Sequence, residues 1–137
     1  MHAVVDPNVL ISALLSPDGA PAQALLAWLH GEFELVVSRL LLEELERALG
    51  YPKLRRRIEA EDARRVVVML TEAATMAEDP KDPPTVRSRD PGDDYLIALA
   101  ASARAVLISG DGHMLELEAE IPVFTPAAFL TRFGPTR

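Results

Sequence analysis

Five acids stand where a carboxylate can do chemistry. Asp6 ends the short apolar run Ala3-Val4-Val5, and Asp111 follows the run Ala105 to Ser109 across Gly110. Asp93 and Asp94 open an Ala-rich stretch, and Glu44 lies six residues after Ser38 in a Leu-rich one. Each has a plain alternative. Asp6-Pro7 reads as a helix N-cap followed by proline at the first helical position. Asp111 can be a turn residue between two glycines. Acids in a first turn complement the helix dipole. On a wheel of roughly 100° per residue, Glu44 falls at the edge of the arc made by Leu41, Leu42, Leu45, Ala48 and Leu49. There it is either a rim residue reaching water or a partly desolvated carboxylate that needs a cation or donors.

Gathered in one cleft, such carboxylates repel, and their pKa values rise unless a cation neutralises them. The chain has no cysteine, so thiol catalysis, zinc thiolates and iron–sulfur clusters are excluded. Oxygen donors alone suit Mg²⁺ or Mn²⁺. Ions held this way orient phosphodiesters, activate water and stabilise a leaving oxygen.

The elements that must bring the acids together follow from punctuation and periodicity. Ala3–Val5 reads as a buried strand, Asn8 to Leu15 as a helix, and Ala22 to His30 as a second helix stopped by Gly31. Glu34–Val37 reads as a strand, and Ser38 caps a helix to Leu49. Lys53 to Ile58 and Glu61 to Thr75 are predicted helices. Residues 79–91, with four prolines, read as a surface loop with room for a short strand at Thr85-Val86. Asp90-Pro91 opens a helix to Arg104. Ala105–Ser109 is a strand, and a short helix follows through Glu118. Ile121–Phe124 is the last strand and Pro126 to Phe133 a closing helix. Alternating strands and helices imply an α/β fold with a parallel sheet and helices on both faces. Such sheets bind ligands beyond the carboxyl ends of their strands.

At 137 residues the chain reads as one domain, 1–137. Acids outnumber bases 21 to 14, a net charge of −7, which argues against nucleic-acid binding by a broad basic surface. The N-terminus meets Asp6 without a basic region, unlike a secretory signal. No apolar run reaches the ~20 residues of a membrane span. The expected setting is cytoplasmic, with no membrane.

The ordered set Val-Val-Asp6-Pro-Asn8-Val-Leu-Ile-Ser, Ser38 with Glu44, Asp90-Pro-Gly-Asp93-Asp94-Tyr-Leu-Ile-Ala-Leu-Ala, and Leu-Ile-Ser109-Gly-Asp111 resembles the PIN domain family. It is most similar to the toxin branch related to VapC-type ribonuclease toxins. The resemblance spans nearly the whole chain and implies a three-layer α/β/α fold with a parallel sheet of four or five strands. It implies Mg²⁺- or Mn²⁺-dependent endoribonuclease activity, with Asp6, Glu44, Asp94 and Asp111 as metal ligands and Asp93 as second choice to Asp94. It also implies Asn8 and Ser109 as supporting residues, a homodimer, and a cognate antitoxin. A catalytically inactive PIN fold that binds RNA or protein is the alternative; retention of all the acids favours activity.

Phosphoaspartyl chemistry on a similar fold fits poorly. A dehalogenase-type phosphatase wants an acid where Asn8 stands, and a receiver domain wants a late lysine, whereas the only lysines are Lys53 and Lys81. For substrate approach, Arg87 and Arg89, or the compact run containing Lys53 and Arg55, are the candidate phosphate contacts. The run at 53–57 reads equally well as a solvated helix face paired with Glu59 and Glu61. His113 matches no ligand pattern and is expected on a turn surface.

Overall fold

The computed structural model describes residues 1–134. Its centre is a five-stranded, all-parallel sheet in the order β3-β2-β1-β4-β5. The strands are β1 (His2–Val5), β2 (Glu34–Val37), β3 (Thr75–Met76), β4 (Val106–Ile108) and β5 (Val123–Phe124). The helices are α1 (Pro7–Leu15), α2 (Ala20–Leu29), α3 (Arg39–Leu49), α4 (Pro52–Arg55), α5 (Ala60–Ala73), α6 (Asp94–Ala103), α7 (Gly112–Leu115) and α8 (Pro126–Phe133). A 3₁₀ turn, Pro91–Asp93, leads into α6.

Proline near the start of α1, α2, α4, the 3₁₀ turn and α8 fixes where those helices begin. Helix α1 packs on α2 and α3, α2 on α8, and α3 on α5. Helix α6 packs on β1 and β4. The chain moves outward from β1 to β2 to β3, then back across to β4 and β5. Right-handed crossovers in these two directions place helices on opposite faces, giving three layers. Strands β1 and β2 are apolar on both faces, as a sheet covered twice requires: Ala3, Val4, Leu35 and Val36 are at most 1% exposed.

The fifth strand lies at Thr75–Met76, not near Thr85-Val86. Ala74 turns extended after α5, β-branched Thr75 follows, and the Ala77 N–H donates to the Val37 carbonyl at 2.9 Å. Thr85-Val86 is a bend after Pro83-Pro84, residues that cannot donate to a ladder. The predicted 53–58 helix shrinks to the single turn of α4, and the predicted 61–75 helix stops at Ala73. Helix α8 spans the predicted residues. Among the described residues no single helix is long and apolar enough to cross a membrane.

In a parallel sheet the intervening helices run antiparallel to the strands. The N-termini of α3 and α6 therefore sit at the C-terminal ends of the strands, beside the residues that follow β1 and β4. Leu41 and Leu45, both 0% exposed, anchor α3 in that position. Truncating either to Ala costs about 2–5 kcal/mol.

Candidate active site

Strand β1 has β2 on one side and β4 on the other, so the chain's direction of travel switches between β1 and β4. Open parallel sheets bind ligands beyond the strand ends at this point. Asp6 stands there. Its backbone N–H donates to the Ile108 carbonyl at 2.9 Å, extending the β1–β4 ladder by one residue. The residue is 4% exposed. One carboxylate oxygen accepts from the Asn8 N–H at 3.0 Å and the other from the Ser109 hydroxyl at 2.9 Å. The Ser109 oxygen accepts in turn from the Asp111 N–H at 3.1 Å. The sequence of strand, acid and proline thus does two things at once: Asp6 caps α1 and is locked in orientation by the next strand. Burial raises the Asp6 pKa, the Asn8 and Ser109 hydrogen bonds oppose that rise, and the charges of Glu44 and Asp111 add to it.

Glu44 is half-buried, while its neighbours Glu43 and Glu46 are exposed. The Tyr95 hydroxyl, from the first turn of α6, donates to a Glu44 carboxylate oxygen. Burial foremost, and the Glu44 carboxylate next, push the Tyr95 phenol upward, so it stays a neutral donor among acids. Tyr95 was not among the candidates read from the sequence. Its signal was a phenol directly after an acid pair on an otherwise apolar helix, where a buried hydroxyl needs a partner.

The adjacent acids Asp93 and Asp94 face different partners. Asp93 lies with Asp6 and Asp111: burial, the Asp6 charge and a side-chain hydrogen bond with Asp111 raise its pKa to about 7. Asp94 turns away. One of its oxygens accepts from the Ser88 N–H at 2.8 Å, and the other lies 3.8 Å from the Arg87 guanidinium. The resemblance implies Asp94 before Asp93; in the structure it is Asp93 that feels the charges of Asp6 and Asp111, while Asp94 is held by the 79–91 loop. The 3₁₀ turn ends at Asp93 and α6 begins at Asp94, so the two acids stand on different local backbone. Asp94 instead pins the 79–91 loop, where Ser88 is buried and accepts from the Asp90 N–H at 3.1 Å.

The acids at this end of the sheet that interact with Asp6 or with one another are Asp6, Glu44, Asp93 and Asp111; Asp94 is beside them but engaged with Ser88 and Arg87. Their donor chemistry fits a hard divalent cation: oxygen atoms only, mutually repelling, with Asp6 and Asp93 desolvated. The acids gather without closing on a point. Among the described residues no three His, Cys, Asp or Glu side chains form a set that could hold an ion as they stand. Their oxygens are engaged instead with Asn8, Ser109, Tyr95 and one another. Asn8 supports Asp6 through its backbone N–H, while its side chain is exposed. His113 is exposed, as expected, and its N–H donates to Asp111 at 3.0 Å.

Of the bases, Arg87 and Arg89 lie on the loop that leads to Asp93. The Arg87 Nε donates to the Pro84 carbonyl at 2.7 Å, and Arg89 pairs with Glu116 at 2.9 Å. Lys53 and Arg55 are exposed on α4. That turn follows the far end of the 11-residue α3, about 16 Å along the helix from the acid end. The structure therefore does not bring Lys53 and Arg55 to the acids.

Comparison with known proteins places the fold. The chain is 28% identical to an uncharacterized protein from Methanocaldococcus jannaschii, over 97% of this chain and 92% of that one. Its fold resembles VapBC2 from Rickettsia felis bound to a DNA fragment from their promoter (TM-score 0.63, 11% identity, 91% of this chain and 98% of that one). It also resembles VapBC-1 from nontypeable Haemophilus influenzae (0.60, 17%, 93% and 99%). A PilT N-terminus domain protein from Sulfolobus solfataricus shares the fold over 100% of this chain and 97% of its own (0.64, 16%). The PIN domain profile matches residues 2–113, which contain every acid of the cluster. On that match, together with the parallel sheet and its switch-point acids, the chain belongs to the PIN domain family.

Proposed function

We propose that the chain is a divalent-metal-dependent endoribonuclease and the toxin of a toxin–antitoxin pair. The observation that carries this reading is the convergence of Asp6, Glu44, Asp93 and Asp111, from four separate segments, at the switch point of the sheet. When bound there, Mg²⁺ or Mn²⁺ supplies Lewis acidity at the phosphate and lowers the pKa of water. The residues of the chain hold and orient. Ser109 and the Asn8 N–H fix Asp6, so at least one ligand needs no reorganisation. Tyr95 fixes Glu44. Asp93 and Asp111 lie close enough to raise the Asp93 pKa, and both carboxylates would be available to hold a divalent cation bound there.

The Asp93 cluster also explains how an acidic chain meets RNA. A divalent ion held there would reverse the sign at the cleft, and Arg87, on the loop that leads to Asp93, is the candidate contact for an approaching phosphate. Two of the structural neighbours are VapBC assemblies, which supports an antitoxin partner here. Leu26 and Leu29 on α2, 43% and 50% exposed, offer an apolar surface for such a partner or for a homodimer. The test is cleavage of a varied RNA panel, tRNA and rRNA included, by purified protein with Mg²⁺ or Mn²⁺. Cleavage abolished by chelator and by Asp6→Asn supports the enzyme. Intact RNA under all conditions leaves the inactive binding module.

A further inference from the structure

A cavity of about 540 Å³ opens directly beside the acids, between α1, the start of α2, the turn after β4 and the start of α8. Asp111 lies on its rim and belongs to both places. We propose that this cavity seats the nucleoside adjoining the scissile phosphate; the inference rests on the ribonuclease reading and extends it to substrate recognition.

The walls argue for a nucleoside rather than a phosphate. Among the described residues Asp111 is the one charged side chain lining the cavity, and it repels an anion. The apolar surface comes from Val9, Pro21 and Pro126, flat or branched groups that suit the face of a base or a ribose. The polar groups are few: the Asn8 carboxamide and the Ser12 and Thr125 hydroxyls, which together offer donors and acceptors to a base edge or a sugar hydroxyl. An apolar cleft of this size with a few placed polar groups is the usual form of a small-ligand site.

The placement of Asn8 and Ser12 is informative. They are the two polar residues of α1, spaced i and i+4 on one face, and both are exposed, while Val9, Leu10, Ile11 and Ala13 are buried. Helix α1 thus turns its one polar edge into the cavity. No aromatic residue lines it among the described residues, so the site reads edges rather than stacking. A phosphate at the Asp6–Asp93–Asp111 cluster leaves its attached nucleoside at the mouth of this cavity, because Asp111 and Asn8 border both.

The test is an amide NMR titration of the whole protein with adenosine, guanosine, cytidine and uridine, first without metal. Expected are saturable shifts at Ser12, Gly110, Thr125 and Ala127, stronger for some bases than others. Ser12→Leu and Ala127→Leu, on exposed positions of opposite walls, are each expected to weaken that binding at least tenfold. Inorganic phosphate is expected to leave these amides unmoved. Nucleoside shifts confined to other surfaces, or affinities unchanged in both variants, overturn the proposal. Mn²⁺ broadening of the Asp6, Asp93 and Asp111 amides is recorded on the same samples. Nucleoside binding in the cavity without that broadening retains the nucleoside site and removes the metal-nuclease reading.

Discussion

The two ends of the sheet show charge assembled by opposite means. At the C-terminal ends of the strands, residues 6, 44, 93 and 111 come from four segments and gather within range of one another's charge. At the far end, Lys53, Arg55, Arg56 and Arg57 are consecutive or nearly so, all exposed, on and after α4. In sequence the basic run is the conspicuous cluster and the acids are scattered. In space the acids are concentrated, Asp6 and Asp93 desolvated, while the bases stay in water, where isolated charges contribute little. Chemistry follows desolvation and convergence, and only topology supplies those.

The largest expected effect comes from the acid end. Asp6→Asn removes a buried, doubly held carboxylate and is expected to reduce RNA cleavage by more than ~100-fold, beyond what loss of a supporting residue gives. Asp93→Asn is expected to behave similarly. Asp94→Ala is expected to retain metal binding and to lower stability by about 1–3 kcal/mol, through loss of the Ser88 hydrogen bond. Urea melts and kinetics on the two variants decide the order. If Asp94→Ala loses metal binding and Asp93→Asn keeps it, the assignment of roles is reversed.

Next in size is Tyr95→Phe, which frees Glu44. Roughly a tenfold loss of Mn²⁺ affinity is expected, read by calorimetry, with the fold unchanged by circular dichroism. Equal affinity in Tyr95→Phe and the parent protein removes Tyr95 as a positioning residue.

The smallest effects contrast the two basic groups. Replacing Arg87 and Arg89 by Ala is expected to reduce the salt slope of RNA binding by about 2, and replacing Lys53 and Arg55 to leave it unchanged. An effect of the second pair alone would place the RNA path across α4. The pH dependence of stability gives a further contrast. The folded Asp93 pKa, about 7, lies above its ordinary value of 3.8, so the folded state holds a proton that the unfolded state has lost between these values. The Asp93 contribution therefore favours folding at low pH and is lost as pH rises toward 7. Added Mg²⁺ competes with that proton, and its stabilisation is expected to be greater at pH 8 than at pH 5. Thermal melts across that range measure both.

Much of this was legible from residue order. Strand–acid–proline at Asp6, Ser38 as the cap of α3, and the apolar run before Ser109 fixed the acid-bearing ends of β1, α3 and β4. The amphipathic wheel put Glu44 at the margin of the core, where it is half-buried. Three features were not legible. The different partners of Asp93 and Asp94 follow from the loop and 3₁₀ turn before α6, which no periodicity records. Strand β3 is two residues long, too short for an alternating pattern to show. Tyr95 reaches Glu44 across 51 positions of sequence, a pairing that exists only after α3 and α6 are set side by side.

The most direct measurement is anomalous diffraction from crystals of the protein soaked in Mn²⁺. The expected result is a manganese peak bounded by the carboxylates of Asp6, Asp93 and Asp111, absent in Asp6→Asn crystals. A fully soaked crystal with no peak there, or with manganese on Asp94 and away from Asp6, would contradict the assignment of this cluster as the metal centre.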